Sequence, residues 1–132
     1  MTLRHLPFLA LLILSGCMSA PIQGVPGPVH HVAVCWLREP GDIGDRKKLI
    51  KTSQQLRDIP GVRTVHAGGV VRGNRSIVDS SFDVAIVMTF DNVPALRAYL
   101  ATPTHEEAVR KVIQPLVQRT LVYDFIDGRA VY

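Results

Sequence analysis

Tyr99 and His105 are the residues in this chain whose types and spacing best suit acid–base chemistry. A neutral imidazole accepts a proton, and a phenol polarises a carbonyl oxygen by donating a hydrogen bond to it. Together they suit proton abstraction beside a carbonyl, as in an aldol closure. They stand six positions apart with Pro103 between them, so they flank a point where one helix must stop and another can start. The same pair also suits two simpler roles. It can contact a ligand without turning it over. It can also be structural, with His105 in a first helical turn and the Tyr99 hydroxyl on backbone. No metal set is expected. His30 and His31 are neighbours in a strand and point to opposite faces, and His31, His66 and His105 follow no ligand spacing. No cofactor is expected either, since Gly68-Gly69 lacks the context of a phosphate loop.

The elements that must position this corner are legible in order. His30 to Leu37 is β-branched, aromatic and apolar on both faces, a strand that needs cover on both sides. Asp45 to Arg57 reads as a helix, with Leu49, Ile50, Ser53 and Leu56 on one face and Asp42 or Asp45 as its cap. Ile59-Pro60-Gly61 ends it. Val62 to Val71 is a second strand, where Gly68-Gly69 implies a bulge or a close approach by another group. Arg72 to Ser81 is a polar loop, and Phe82 to Phe90 is a third strand. Asp91 is the expected N-cap of the next helix, with Pro94 in its first turn. Thr104 and Glu107 have the spacing of a capping box for the helix after it, which Pro115 should kink. Leu121 to Ile126 is the last strand.

The order β-α-β-β-α(α)-β is the split βαβ arrangement of a ferredoxin-like, α+β fold: an antiparallel four-stranded sheet with helices on one face. The uncovered face would be too apolar for a monomer to expose, so a homodimer packed sheet to sheet is expected.

The chain has 132 residues, enough for one domain, and a formal net charge of +4. Its basic residues are spread over helix faces, which fits solvated surfaces and not nucleic-acid binding. Residues 1–16 read as a signal peptide: Arg4 and His5 precede an apolar run from Leu6 to Leu14 that is too short to span a membrane permanently. Leu14-Ser15-Gly16-Cys17 resembles a bacterial lipobox, in which Cys17 is lipidated and becomes the first mature residue. Met18 after the cysteine favours the outer membrane, with the domain facing the periplasm. Residues 17–29 are a Pro/Gly-rich tether, and residues 30–132 form the domain. Cys35 is then a lone thiol in an apolar strand, expected to pack as a small hydrophobe.

The stretch from about 30 to 126 resembles the stress-responsive dimeric α+β barrel domain family. The resemblance is carried by His31-Val-Ala-Val, Leu56-Arg-Asp-Ile-Pro-Gly-Val62, and a glycine closing the second strand. It continues with Phe90-Asp-Asn-Val-Pro-Ala-Leu96, Tyr99-x-x-x-Pro-x-His105 and Val122-Tyr-Asp124-Phe. It implies a ferredoxin-like protomer and a dimer whose two sheets form a barrel. Plant polyketide cyclases of the family use a tyrosine and a histidine, matched here by Tyr99 and His105. The strand-one histidine of the pattern is matched by His31, a further ligand contact. Where the family often has His-Pro-x-His, this chain has Thr102-Pro103-Thr104-His105, so one imidazole is missing. Three functions remain open: an anchored module binding a small apolar or aromatic ligand, a cofactor-free cyclase or isomerase, and a structural partner of envelope proteins.

Overall fold

The computed structural model describes residues 27–128; the signal segment, Cys17 and most of the tether lie outside the described residues. The chain runs β1 (Val29–Leu37), α1 (Ile43–Gln55), a 3-10 turn (Leu56–Asp58), β2 (Val62–Gly69), β3 (Val84–Phe90) and α2 (Val93–Leu100). Next come α3 (Pro103–Ala108), a π-helical stretch (Val109–Ile113), a last helical turn (Gln114–Leu116) and β4 (Val117–Ile126). The four strands form one antiparallel sheet in the order β2-β3-β1-β4. This is the ferredoxin-like α+β fold that the element order implies.

Strand periodicity sorts the side chains. Along β1 and β3 every second residue is buried and those between are half-buried. The buried set, including Val29, Leu37, Val84 and Phe90, faces the helices and meets Leu49 and Leu56 of the first helical segment. Each such side chain contributes about 1.5–3 kcal/mol by leaving water. The opposite face of the sheet carries no helix. It presents Val32, Val34 and Trp36 of β1, and its β4 residues Tyr123 and Phe125 are more than half exposed.

Several local expectations shift by a residue or two. Asp42 caps α1, its Oδ1 accepting from the Asp45 amide at 2.7 Å. Asn92, not Asp91, caps α2 and accepts from Ala95 N at 2.9 Å; Asp91 instead pairs with Arg63. Thr102, not Thr104, caps α3, because Pro103 already occupies the first helical position, where a missing N–H costs nothing. The strand β2 ends at Gly69 with an unbroken ladder there, and its register shift lies between Val62 and Thr64. The close approach at the glycine pair is real at Gly69, where a Cβ would meet Arg46 Cδ at 3.2 Å. No kinked helix passes Pro115. The helix widens to π before it and gives way to β4 at Val117, four residues earlier than the apolar pattern indicates.

One buried acid holds the end of the sheet together. Asp83 accepts from Leu37 N at 2.9 Å and Gly41 N at 2.8 Å, with Arg46 Nη2 at 3.5 Å. Burial opposes its charge, but these donors outweigh burial and hold the carboxyl below its usual range. Gly41 can lend its amide because its φ of +81° is open to glycine without strain.

Candidate functional site

Between the helix-facing side of the sheet and the helices lies a cavity of about 750 Å³. Its walls are largely apolar: Ala33 and Ile86 from the sheet, Leu56 and Val109 from the helical layer. Four polar side chains lie together on its lining: His31, Tyr99, His105 and Asp124. Each is delivered by a different element. His31 stands on β1 with its side chain towards the helices. Tyr99 lies in the last turn of α2, His105 in the first turn of α3, and Asp124 stands on β4 directly across from His31.

The junction between α2 and α3 brings Tyr99 and His105 together. Thr102 Oγ1 donates to Tyr99 O at 2.7 Å and accepts from His105 N at 3.3 Å. The two rings consequently meet with centroids 4.6 Å apart. Tyr99 is only 1% exposed, packed against Phe90 at 5.0 Å and edge-on to His31 at 6.4 Å. Burial pushes its phenol well above the ordinary tyrosine range, so the hydroxyl keeps its proton and acts as a donor.

Both imidazoles have a defined proton position. His105 Nδ1 lies 3.2 Å from Leu100 O, and a carbonyl only accepts, so Nδ1 carries the hydrogen. The basic atom of the neutral ring is then Nε2. His31 Nδ1 donates to Asp124 Oδ1 at 2.6 Å, which fixes the orientation of the ring. Burial holds His105 below the ordinary imidazole range, the Leu100 carbonyl opposes this, and His31 adds to the depression. At neutral pH His105 is thus a neutral base beside a protonated phenol, with a carboxylate–imidazole pair close by.

Asp124 is the candidate site residue that the sequence did not single out. It lies within the closing Val122-Tyr-Asp124-Phe motif, but only the β1–β4 register pairs it with His31. His66 belongs elsewhere: it stands opposite Val87 on the face away from the cavity. Among the described residues no three His, Cys, Asp or Glu side chains come together as a metal set. Cys35 lines the cavity floor, and burial raises its thiol above the ordinary range against a weaker opposing contact with Thr120, which leaves it inert.

The family model for the stress responsive A/B barrel domain matches residues 29–127. The chain belongs to that family. Solved structures share the fold at low identity. A family member from Mesorhizobium loti with a ferredoxin-like fold is 22% identical, with a TM-score of 0.64 over 76% of this chain and 97% of that one. A dimeric ferredoxin-like protein of unknown function from Thermobifida fusca is 20% identical, with a TM-score of 0.62 over 80% and 96%. A hydroxynitrile lyase from Passiflora edulis is 17% identical, with a TM-score of 0.68 over 78% and 95%. No curated protein matches the sequence. Among the described residues no helix is long and apolar enough to cross a membrane.

Proposed function

We propose that this A/B barrel protein is an envelope-anchored homodimer that binds a small, largely apolar carbonyl or phenolic compound in each protomer's cavity. The observation that carries this reading is the convergence of His31–Asp124, Tyr99 and His105 on one apolar cavity of about 750 Å³. That volume falls within the usual range of small-molecule sites, and a few fixed polar groups on an apolar wall give orientation without strong desolvation cost. The homodimer is supported by the apolar outer face of the sheet and by the dimeric relative from Thermobifida fusca. Anchoring rests on the lipobox Leu14-Ser15-Gly16-Cys17, with acylated Cys17 holding the domain to the outer membrane through the tether. Two lipid chains on one cysteine anchor far more firmly than one.

A second reading is favoured by the proton positions: catalysis of the cyclase or isomerase type. His105 Nε2 removes a proton from the carbon beside the ligand's carbonyl. The electron pair moves on to the carbonyl oxygen, which accepts a hydrogen bond from the Tyr99 hydroxyl. His105 then returns its proton to the product, so the site ends as it began. Asp124 fixes His31 as a second oriented imidazole at the same place.

The test uses the purified mature protein with β-keto esters and alkylphenols. Binding predicts a thermal shift that Tyr99→Phe and His105→Ala reduce. Catalysis predicts deuterium uptake at the α-carbon in D₂O, lost in His105→Ala. No shift with either compound class sinks the ligand reading. A shift without deuterium uptake leaves binding and removes catalysis.

A further inference from the structure

The cavity extends well past Tyr99 and His105. It runs lengthwise between β1 and β4 on one side and the α3–π segment on the other. One end is the His31–Asp124 pair, and the other is where Leu37 pairs with Val117. The two ends are roughly 20 Å apart at about 3.3 Å per strand residue. Along the helical wall, His105 to Gln114 covers roughly 14 Å at about 1.5 Å per residue. Ala33, Cys35, Leu56, Ile86, Val109 and Ile113 make the stretch between them apolar. At the far end the lining turns polar again, with Arg38, Gln114 and Gln118. All three are exposed, so this end opens to water.

Arg38 is held in place there. Its Nε donates to Pro115 O at 3.1 Å and its Nη2 to Gln114 O at 3.3 Å, while its backbone N–H donates to Leu116 O at 2.8 Å. The two side-chain bonds tie the guanidinium to the last helical turn and leave over both N–H groups of Nη1 and one of Nη2. Those form a fork of the kind that matches a carboxylate. Among the described residues no carboxylate bridges to Arg38, and Glu39 and Asp42, the acids that follow it, are not on the lining. The acid that is on the lining, Asp124, lies at the other end against His31. Arg119 also reaches this end, but its guanidinium lies over Trp36 at 4.5 Å.

Resting on the carbonyl reading given above, we infer that the ligand is a linear oxo-carboxylic acid. Its carbonyl sits at Tyr99 and His105, and its carboxylate sits on Arg38 at the open end. The apolar chain between them lies against the apolar walls, and the carboxylate stays hydrated at the mouth, so no charge has to be buried. With C–C bonds of about 1.52 Å at about 111°, an extended chain advances about 1.25 Å per carbon. The length of the cavity, less the reach of the two side chains, therefore takes about ten carbons between the two groups. A cation at one end only also sets direction: the carbonyl enters first and the carboxylate stops at Arg38.

Calorimetric titration of the mature protein with 11-oxododecanoic acid and with 2-dodecanone tests this, because the two differ only in the carboxylate. The wild type should bind the acid about fivefold more tightly than the ketone, the upper end for an exposed ion pair. Arg38→Gln should still bind 2-dodecanone and lose the preference for the acid. Arg38→Lys keeps the charge and should keep part of the preference. Gln114→Glu leaves the Arg38 bonds to backbone in place but adds a carboxylate at the mouth, and should also lose the preference. Equal affinity of the wild type for acid and ketone overturns the inference. So does a preference that persists in both Arg38→Gln and Gln114→Glu, as it would if the carboxylate lay against His31 and His105 instead. Binding of neither compound refutes the cavity-ligand reading itself.

Discussion

Replacing Thr102 with valine removes one oxygen and nearly preserves shape, which isolates what that oxygen does at the site. Its hydroxyl accepts from His105 N at 3.3 Å and donates to Tyr99 O at 2.7 Å. The first bond is an N-cap, and losing such a cap costs about 1 kcal/mol. The second is worth about 0.5 kcal/mol, the low end for a neutral bond, because Tyr99 O keeps the Thr102 amide at 3.0 Å. The sum of about 1.5 kcal/mol corresponds to a fall in Tm of roughly 6–12 °C for a domain of this size. The local effect matters more. With its amide uncapped, the first turn of α3 loosens, and the bond from His105 Nδ1 to Leu100 O loosens with it. Nitrogen-detected NMR of the imidazoles should show His105 as a single Nδ1–H tautomer in the wild type and in Thr102→Ser. In Thr102→Val it should show a mixture. A valine variant with unchanged stability and a single His105 tautomer would refute the view that Thr102 sets the Tyr99–His105 pair. So would a serine variant as damaged as the valine one.

Asp83→Ala strands the buried Leu37 amide and deprives the part-buried Gly41 amide and the Arg46 guanidinium of their carboxylate, and should cost about 3 kcal/mol in urea unfolding. Because the Asp83 carboxyl is held low in the folded state, its stabilisation is complete above the unfolded carboxylate value near pH 4 and is lost as pH falls through the folded value. The wild type should therefore show an acid limb that Asp83→Ala flattens. His105 has the opposite habit from a paired histidine: burial lowers it, so its contribution is complete above about pH 6.5 and declines as the unfolded chain takes up the proton first. His105→Gln should remove that decline between pH 7 and 5. Gly61→Ala places a Cβ at a φ of +91°. Its nearest contact is an ordinary 3.5 Å from Ala95 Cβ, so the cost is backbone strain alone, about 1–2 kcal/mol by thermal melt.

Much of this protein is written in its periodicity. The alternation in β1 and β3, the stripe of Leu49, Ser53 and Leu56, and the breaks at Pro60-Gly61 and Pro103 dictate which elements form and in what order. Those are local preferences, and a chain cannot satisfy them otherwise. The same local reading identifies Tyr99 and His105 as a pair, because a helix junction six positions long acts over short range. Caps moved by a residue where two candidates were adjacent, as with Asp91 and Asn92, since either could serve and only the helix start chooses. The start of β4 was hidden because Val117 to Thr120 continues a helical-looking stripe, and only pairing with the end of β1 turns it into strand. Asp124 marks the limit most clearly. It is 93 residues from His31, and no local preference encodes the register that brings its carboxylate to 2.6 Å. That contact and the cavity beside it arise from tertiary packing, because strand register is chosen by the burial of whole faces at once.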